Sequence, residues 1–165
     1  MEEPNWLTAD QIEDWKALVA LTLSLPAALD GQLKRDSCVT SFEYHVMAAL
    51  SDSPGRSLPM SVLATLASGS MSRVSHVVAR LEQAGWVERQ GSQLTGCRTD
   101  AHLTEAGWQK LRQTAPAHVQ EARRLVVDVL SPEEFTALGA AARKIAQVAD
   151  PRLVARLARS SAAQD

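Results

Sequence analysis

The fold of this chain is decided by one segment, from Ser70 to Gly85, which reads SMSRVSHVVARLEQAG. Ser70 is a typical helix N-cap residue, and Gly85 stands where a glycine usually ends a helix. Aliphatic residues recur at helical spacing along one side, at Val74, Val77, Val78 and Leu81. Short hydroxyls, a histidine and arginines fall on the other side. The segment therefore predicts a helix that is buried along one face and polar along the opposite face.

The residues that follow this helix predict a β-hairpin. Trp86–Gln90 and Cys97–Leu103 are short strand-like runs, and the polar loop 91–96 separates them. Glycine, serine and threonine in that loop are typical of a connection longer than the tightest hairpin turns.

Two shorter helices are predicted before the deciding segment. Thr40-Ser-Phe-Glu43 is a capping box that opens a helix to about Ser51, since the threonine and the glutamate each satisfy a free backbone N–H. Pro59 suits the first turn of a second helix, which reaches Ala67. The order helix, helix, turn, helix, hairpin is the winged helix-turn-helix layout.

Long amphipathic helices are predicted on both sides of this lobe, over residues 8–35 and 104–159. Thr8 and Ser131 begin capping boxes, Thr104 caps a further helix, and Pro26 is expected to kink the first one. The apolar faces of these helices are longer than a small lobe can cover. A second copy of the chain is therefore expected to bury them, which predicts a homodimer.

Composition agrees with one mostly α-helical domain over residues 1–165 that carries a small β-hairpin wing. The chain is 45% hydrophobic but only 4% aromatic, and residues such as Ala and Leu lose little freedom in a helix. The formal net charge is −2, so a surface for nucleic acid has to be local. Between Ser70 and Arg98, four arginines oppose two glutamates, which gives that stretch a net charge of +2.

The polar face of the deciding helix and the hairpin predict a surface for double-stranded DNA. Short side chains let a helix approach base edges in the major groove. Arg73 and His76 are expected to read base acceptors, and Arg80 to contact a phosphate. The full set of predicted DNA-binding residues is Ser70, Ser72, Arg73, Ser75, His76, Arg80, Arg89 and Arg98.

Three motifs extend this interpretation to a family. They are SRVSHVVARLE at 72–82, GWVER at 85–89 and LTEAG at 103–107. From about Leu7 to Val148 the chain resembles the MarR (multiple-antibiotic-resistance regulator) family. The resemblance implies a cytoplasmic homodimer whose two winged lobes bind successive major grooves of a pseudo-palindromic operator. It also implies a repressor that is relieved when a small aromatic effector enters a cleft between the terminal helices and the lobes.

The wing departs from the family pattern. Members usually carry an Asp-x-Arg turn whose arginine enters the minor groove, and Thr95 and Cys97 stand at those two positions here. Arg98 is adjacent and is the expected substitute, so minor-groove reading should be weaker than in a typical member.

The effector site is predicted less directly. Aromatic and methionine side chains suit an adaptable pocket, although each of these residues also fits a plain core. The candidates are Trp15, Leu18, Tyr44, Met47 and Met71.

Other functions were weighed against regulation. The histidines lack a partner at any recognised catalytic or zinc spacing, so no enzyme, metal or cofactor is expected. Asp100 and His102 share a strand face near Cys97, but so few ligands rarely make a metal site. Cys38 and Cys97 leave a thiol-based redox regulator open, and the altered wing leaves open a winged helix that binds protein. The N-terminus shows no export signal or membrane segment, which favours a cytoplasmic protein.

Overall fold

The computed structural model describes residues 4–67, 69–91, 99–151 and 154. Helices dominate the chain, and a small antiparallel sheet lies in the middle of the sequence. The elements are α1 Ala9–Ser37, α2 Ser41–Ser51, β1 Ser57–Pro59, α3 Met60–Leu66, α4 Met71–Gln83, β2 Val87–Gly91, β3 Thr99–Leu103, α5 Glu105–Ala122 and α6 Pro132–Ala149. The predicted class, mostly α with a β-wing, is confirmed.

The helix starts lie where the sequence predicted them, because each is fixed by a local hydrogen bond. Thr8, Thr40 and Ser131 form complete capping boxes with the residue three positions later. Ser70 and Thr104 cap α4 and α5 by accepting one backbone N–H each. These side chains satisfy donors that the first turn of a helix leaves free.

The sheet has one strand more than the predicted hairpin. β3 lies between β1 and β2 and pairs antiparallel with both. Pro59 is the last residue of β1 and the N-cap of α3, with an extended ψ of 137°, and not a first-turn residue as predicted. A three-residue strand is too short to show an alternating pattern, which is why the sequence did not indicate it.

The core lies within the lobe formed by α2, α3, α4 and the sheet. α4 contributes the four aliphatic residues that the sequence assigned to its buried face. The other fully or almost fully buried hydrophobic residues include Val39, Val46, Met47, Leu50, Leu63, Val87, Ala101, Leu103 and Leu111. The polar face of α4 is therefore held outward by its own packing.

The long helices α1 and α5 both continue through an internal proline. α1 continues through Pro26 as one assigned helix and ends at Ser37. α5 likewise continues through Pro116, and a π-helical stretch, Arg123–Val127, follows it. Lys110 of α5 donates from Nζ to the carbonyl of Ser37 at 2.8 Å, so the end of α1 is bonded to α5.

Apolar residues remain exposed along the terminal helices. No residue of α6 is buried within the single chain. The exposed hydrophobic side chains on or beside α1, α5 and α6 include Trp6, Trp15, Leu23, Val119, Val129, Phe135, Ile145 and Val148. Large apolar side chains left exposed along the same helices are typical of an interface. Among the described residues, no helix is both long and apolar enough to cross a bilayer.

Candidate nucleic-acid interface

The outward face of α4 is the centre of the candidate interface. Ser72, Arg73, Ser75, His76 and Arg80 are all exposed. Val74, Val78 and Leu81 are at most 1% exposed on the opposite side. The structure therefore brings the residues that the sequence predicted from α4 onto one accessible surface.

The N-terminus of α4 is set by a close approach to α2. Ser70 Oγ accepts the backbone N–H of Arg73 at 3.2 Å, so this hydroxyl serves as the helix cap. A Cβ at Gly69 would lie 2.7 Å from Cζ of Phe42. Only glycine fits there without displacing the phenyl ring, which is partly buried against the core.

Arg73 stacks on that same phenyl ring. Its Cζ lies 4.2 Å from the centroid of Phe42, a distance suited to a cation–π interaction. The stack restricts the arginine, and within the described residues its guanidinium makes no ion pair. Arg73 is thus held beside α4 with its donors available for a partner, which is the arrangement that base reading requires.

Arg80 is tied to α2 by an ion pair that the sequence analysis did not indicate. Its Nη2 lies 3.0 Å from Oε1 of Glu43, whose side chain is 5% exposed, whereas that of Arg80 is 54% exposed. One edge of the guanidinium therefore faces a buried carboxylate while much of the group stays accessible. A charge-assisted pair of this kind fixes the position of the arginine head.

Arg89 of β2 makes its contacts with α4. Its Nη1 lies 3.3 Å from Oε2 of Glu82, and its backbone N–H donates to Oε1 of the same residue at 3.0 Å. Its Nη2 donates to the carbonyl of Ser75 at 2.8 Å. Arg89 therefore joins the wing to α4 within the chain; its predicted contact with DNA is not tested by these bonds.

A concave surface connects α4 with the neighbouring helices. It is lined from α1 by Asp30 and Lys34, from the start of α2 by Phe42, and from α4 by Arg73 and Arg80. Lys34, Arg73 and Arg80 supply the cations that make this surface suited to a phosphate backbone.

Part of the predicted wing lies outside the described residues. Arg98 belongs to that part, as do Thr95 and Cys97, the residues at which the wing departs from the family pattern. The expected minor-groove contact therefore stays a prediction.

The predicted effector residues do not form one pocket in the single chain. Met47 is fully buried in the lobe core, whereas Trp15 is 57% and Met71 51% exposed. Leu18 is half-buried on α1. Tyr44 is the best placed, because its ring centroid lies 4.6 Å from that of His118, where α2 meets α5. Their role in ligand binding stays a prediction.

His118 marks a polar site that the sequence analysis did not assign. Its Nδ1 lies 3.3 Å from Oε1 of Gln32 on α1, and Gln32 Nε2 donates to Asp36 at 2.8 Å. Partial burial and, to a smaller extent, the nearby His45 lower the pKa of His118. Burial also raises the pKa of Tyr44, so both groups favour their neutral forms.

Of the residues considered for metal and redox chemistry, Asp100 and His102 lie on β3, and Cys97 lies outside the described residues. Within the described residues, no three His, Cys, Asp or Glu side chains cluster in a way that would hold a metal ion. Cys38 is exposed and is the C-cap of α1, with a left-handed φ of 55°. A redox role for this thiol is not tested by its placement.

Phe42, Glu43 and Glu82 were missed as contributors to the interface. The sequence analysis recognised Glu43 only as part of a capping box. Phe42 contacts Arg73 and Glu43 contacts Arg80 across positions that are far apart in sequence. Glu82 contacts Arg89 across the junction of α4 and β2, so no helical spacing indicated any of the three.

The fold and this surface together define a winged helix-turn-helix protein. Neither a protein-family model nor a curated protein matches the chain. Solved structures do match it. Sco3205, a MarR family transcriptional regulator from Streptomyces coelicolor in complex with DNA, is 39% identical, with a TM-score of 0.86 over 92% of this chain and 95% of that one.

Two further structures extend the comparison. AbsC, a MarR family transcriptional regulator from Streptomyces coelicolor, is 33% identical, with a TM-score of 0.84 over 90% of this chain and 100% of that one. A mutant MarR from E. coli, complexed with operator DNA, is 18% identical, with a TM-score of 0.71 over 86% of this chain and 99% of that one, and supports the fold alone.

The chain belongs to the MarR family of DNA-binding transcriptional regulators. The identity and coverage shared with Sco3205 and AbsC carry this assignment. These relatives are regulators of transcription and not enzymes.

Proposed function

We propose that the chain binds a pseudo-palindromic DNA operator as a homodimer, with α4 of each protomer in the major groove. The observation that carries this proposal is the exposed serine and arginine face of α4, which buried aliphatic residues hold outward. Short polar side chains let the backbone approach base edges, and arginine pairs with guanine acceptors.

Each predicted contact has a distinct role in this proposal. Arg73 and His76 read base edges, and Arg80 binds a backbone phosphate from the concave surface between α1, α2 and α4. Ser72 and Ser75 contact phosphates or bases nearby. Arg98 reaches the minor groove from the wing.

The homodimer is supported by the uncovered apolar surface of the terminal helices. Phe135 and Ile145 of α6 are exposed, as is Trp15 of α1. Burial of such side chains against a second copy removes each from water, which contributes about 1.5–3 kcal/mol per fully buried large side chain. Two-fold symmetry between the protomers then places the two α4 helices in adjacent major grooves.

The regulator acts as a repressor that a small aromatic effector releases, which is typical of the family. The junction of α1, α2 and α5 supports this, because Tyr44 and His118 combine an aromatic surface with polar atoms there. The protein meets its operator in the cytoplasm.

Selection of bound sites from random double-stranded DNA tests operator binding. We expect a two-fold symmetric consensus and an affinity that falls steeply with salt. Arg73→Ala should cost about 1–3 kcal/mol per lobe and relax specificity at its base pair. Arg112→Ala, an exposed arginine of α5, is the matched control and should bind like the wild type. A flat salt response without a consensus would instead favour a protein-binding winged helix.

Release by an effector is tested on the selected complex. Small aromatic acids are titrated into the protein–DNA complex, and we expect at least one of them to dissociate it. The same acid should dissociate the complex of the Tyr44→Ala variant less effectively. If none changes the DNA affinity, regulation by an aromatic effector is excluded for the compounds tested, while operator binding stands.

A further inference from the structure

Glu43 lies at the centre of a chain of polar contacts that crosses three helices. Its Oε2 accepts the backbone N–H of Thr40 at 2.8 Å and the Thr40 hydroxyl at 2.8 Å. Its Oε1 faces Arg80 Nη2 at 3.0 Å. Both carboxylate oxygens are therefore engaged, one with the start of α2 and the other with α4.

The same chain of contacts continues to α1. Asp30 Oδ1 accepts the backbone N–H of Ser41 at 2.8 Å, and its Oδ2 lies 2.6 Å from Lys34 Nζ. The Lys34 ammonium and the Ser41 N–H lower the pKa of Asp30, so this carboxylate is ionised at neutral pH. The start of α2 is consequently fixed from α1 on one side and from Glu43 on the other.

Arg80 is the only member of this chain of contacts that is also a predicted DNA contact. Its guanidinium has five N–H donors, and the contact with Glu43 uses one of its nitrogens. The accessible remainder lines the concave surface with Lys34 and Arg73. A long side chain held at one end of its guanidinium group loses less rotamer freedom when it binds a phosphate.

We propose that Glu43 is a positioning residue for DNA binding, which holds the guanidinium of Arg80 in the orientation that contacts a backbone phosphate. This inference rests on the proposed operator binding. Glu43 itself does not touch the nucleic acid, since it is almost fully buried.

Simple electrostatics predicts the opposite effect, which makes the proposal testable. A carboxylate near polyanionic DNA repels it, so its neutralisation alone should tighten binding. If Glu43 acts by positioning Arg80, its neutralisation should instead weaken binding. The direction of the change therefore separates the two accounts.

Glu43→Gln is the informative variant because glutamine also completes a capping box. The start of α2 should stay intact, while Arg80 loses its charged partner. We expect DNA affinity at fixed salt to fall about threefold to tenfold, as for a loss of positioning at one contact. In an Arg80→Ala background, the same substitution should have no further effect. The thermal unfolding midpoint of each variant is measured beside its DNA affinity.

Arg80→Lys is the second variant. It leaves the Thr40–Glu43 capping box unchanged, so the start of α2 should fold as in the wild type. A lysine ammonium is a point charge without the planar fork of arginine, and it should not hold Glu43 and a phosphate in the same orientation. We expect weaker binding to all DNA sequences alike and no change in the selected consensus.

The proposal is overturned if Glu43→Gln binds DNA as well as or better than the wild type, or if it loses as much affinity in the Arg80→Ala background. It is also overturned if Arg80→Lys binds like the wild type. If the wild type selects no DNA, the proposed function fails, and the positioning role fails with it. If the wild type binds DNA but a variant gives one of these overturning results, only the positioning role is lost.

Discussion

Arg89 of β2 donates from Nη2 to the main-chain carbonyl of Ser75 at 2.8 Å, so the wing is bonded to the exposed face of α4. The same guanidinium faces Glu82 of α4 at 3.3 Å. The side chain of this one arginine thus makes two contacts between the wing and α4. A residue at this surface can therefore have one of two roles: it can touch DNA, or it can arrange the residues that touch DNA.

Arg89→Ala should lower the free energy of unfolding by about 1 kcal/mol, because it removes charge-assisted hydrogen bonds between β2 and α4. Denaturant unfolding at one protein concentration measures the change, with Arg112→Ala as the control. If stability is unchanged while DNA affinity and its salt dependence both fall, Arg89 contacts a phosphate directly.

Phe42→Leu should weaken DNA binding about twofold to fivefold, which corresponds to the loss of one exposed cation–π contact. The leucine retains an apolar side chain, but Arg73 loses the ring that restricts it. Affinities of Phe42→Leu, Arg73→Ala and the double variant form a thermodynamic cycle. The losses should be less than additive; strictly additive losses would show that the ring does not act through Arg73.

Gly107→Ala should destabilise the chain by about 2–4 kcal/mol, the range of a severe packing error. An added Cβ would lie 2.1 Å from the carbonyl oxygen of Trp86, and backbone atoms cannot move away at small cost. In an unobstructed helix, the same change usually stabilises a protein. Gly31→Ala is the control, since its Cβ meets only the end of the flexible Arg35 side chain. Equal unfolding midpoints for the two variants would contradict the clash.

Stability should fall as pH decreases below about 6.5, the ordinary pKa of histidine, and His118 should contribute to that fall. Its pKa is lowered in the folded chain by burial and by His45. The unfolded chain therefore binds a proton at a higher pH than the folded chain does, so protons favour unfolding. The stability contributed by neutral His118 is full above the unfolded pKa and decreases as pH falls towards the folded pKa.

His118→Gln removes this titration. Unfolding at a series of pH values should show a smaller loss of stability between pH 7 and 5 for the variant than for the wild type. Parallel curves for the two proteins would mean that His118 does not couple to folding in this range.

Local sequence patterns determined the helix starts and the two faces of α4. Thr8, Thr40 and Ser131 begin their helices through hydrogen bonds to residues three positions away. The residue types that form these bonds can be recognised in the sequence. The buried valines of α4 follow from helical spacing alone. The family resemblance added the pseudo-palindromic operator and the aromatic effector, which no local pattern contains.

Only the tertiary structure decided what the arginines do within the chain. The sequence indicates no partner within the chain for Arg73, Arg80 or Arg89, yet the first stacks on Phe42, the second pairs with Glu43, and the third joins β2 to α4. Each partner comes from another element that packing brings close. Spacing along one helix specifies which face a side chain occupies, whereas its partner across the fold depends on how separate elements pack together, and that information is not local.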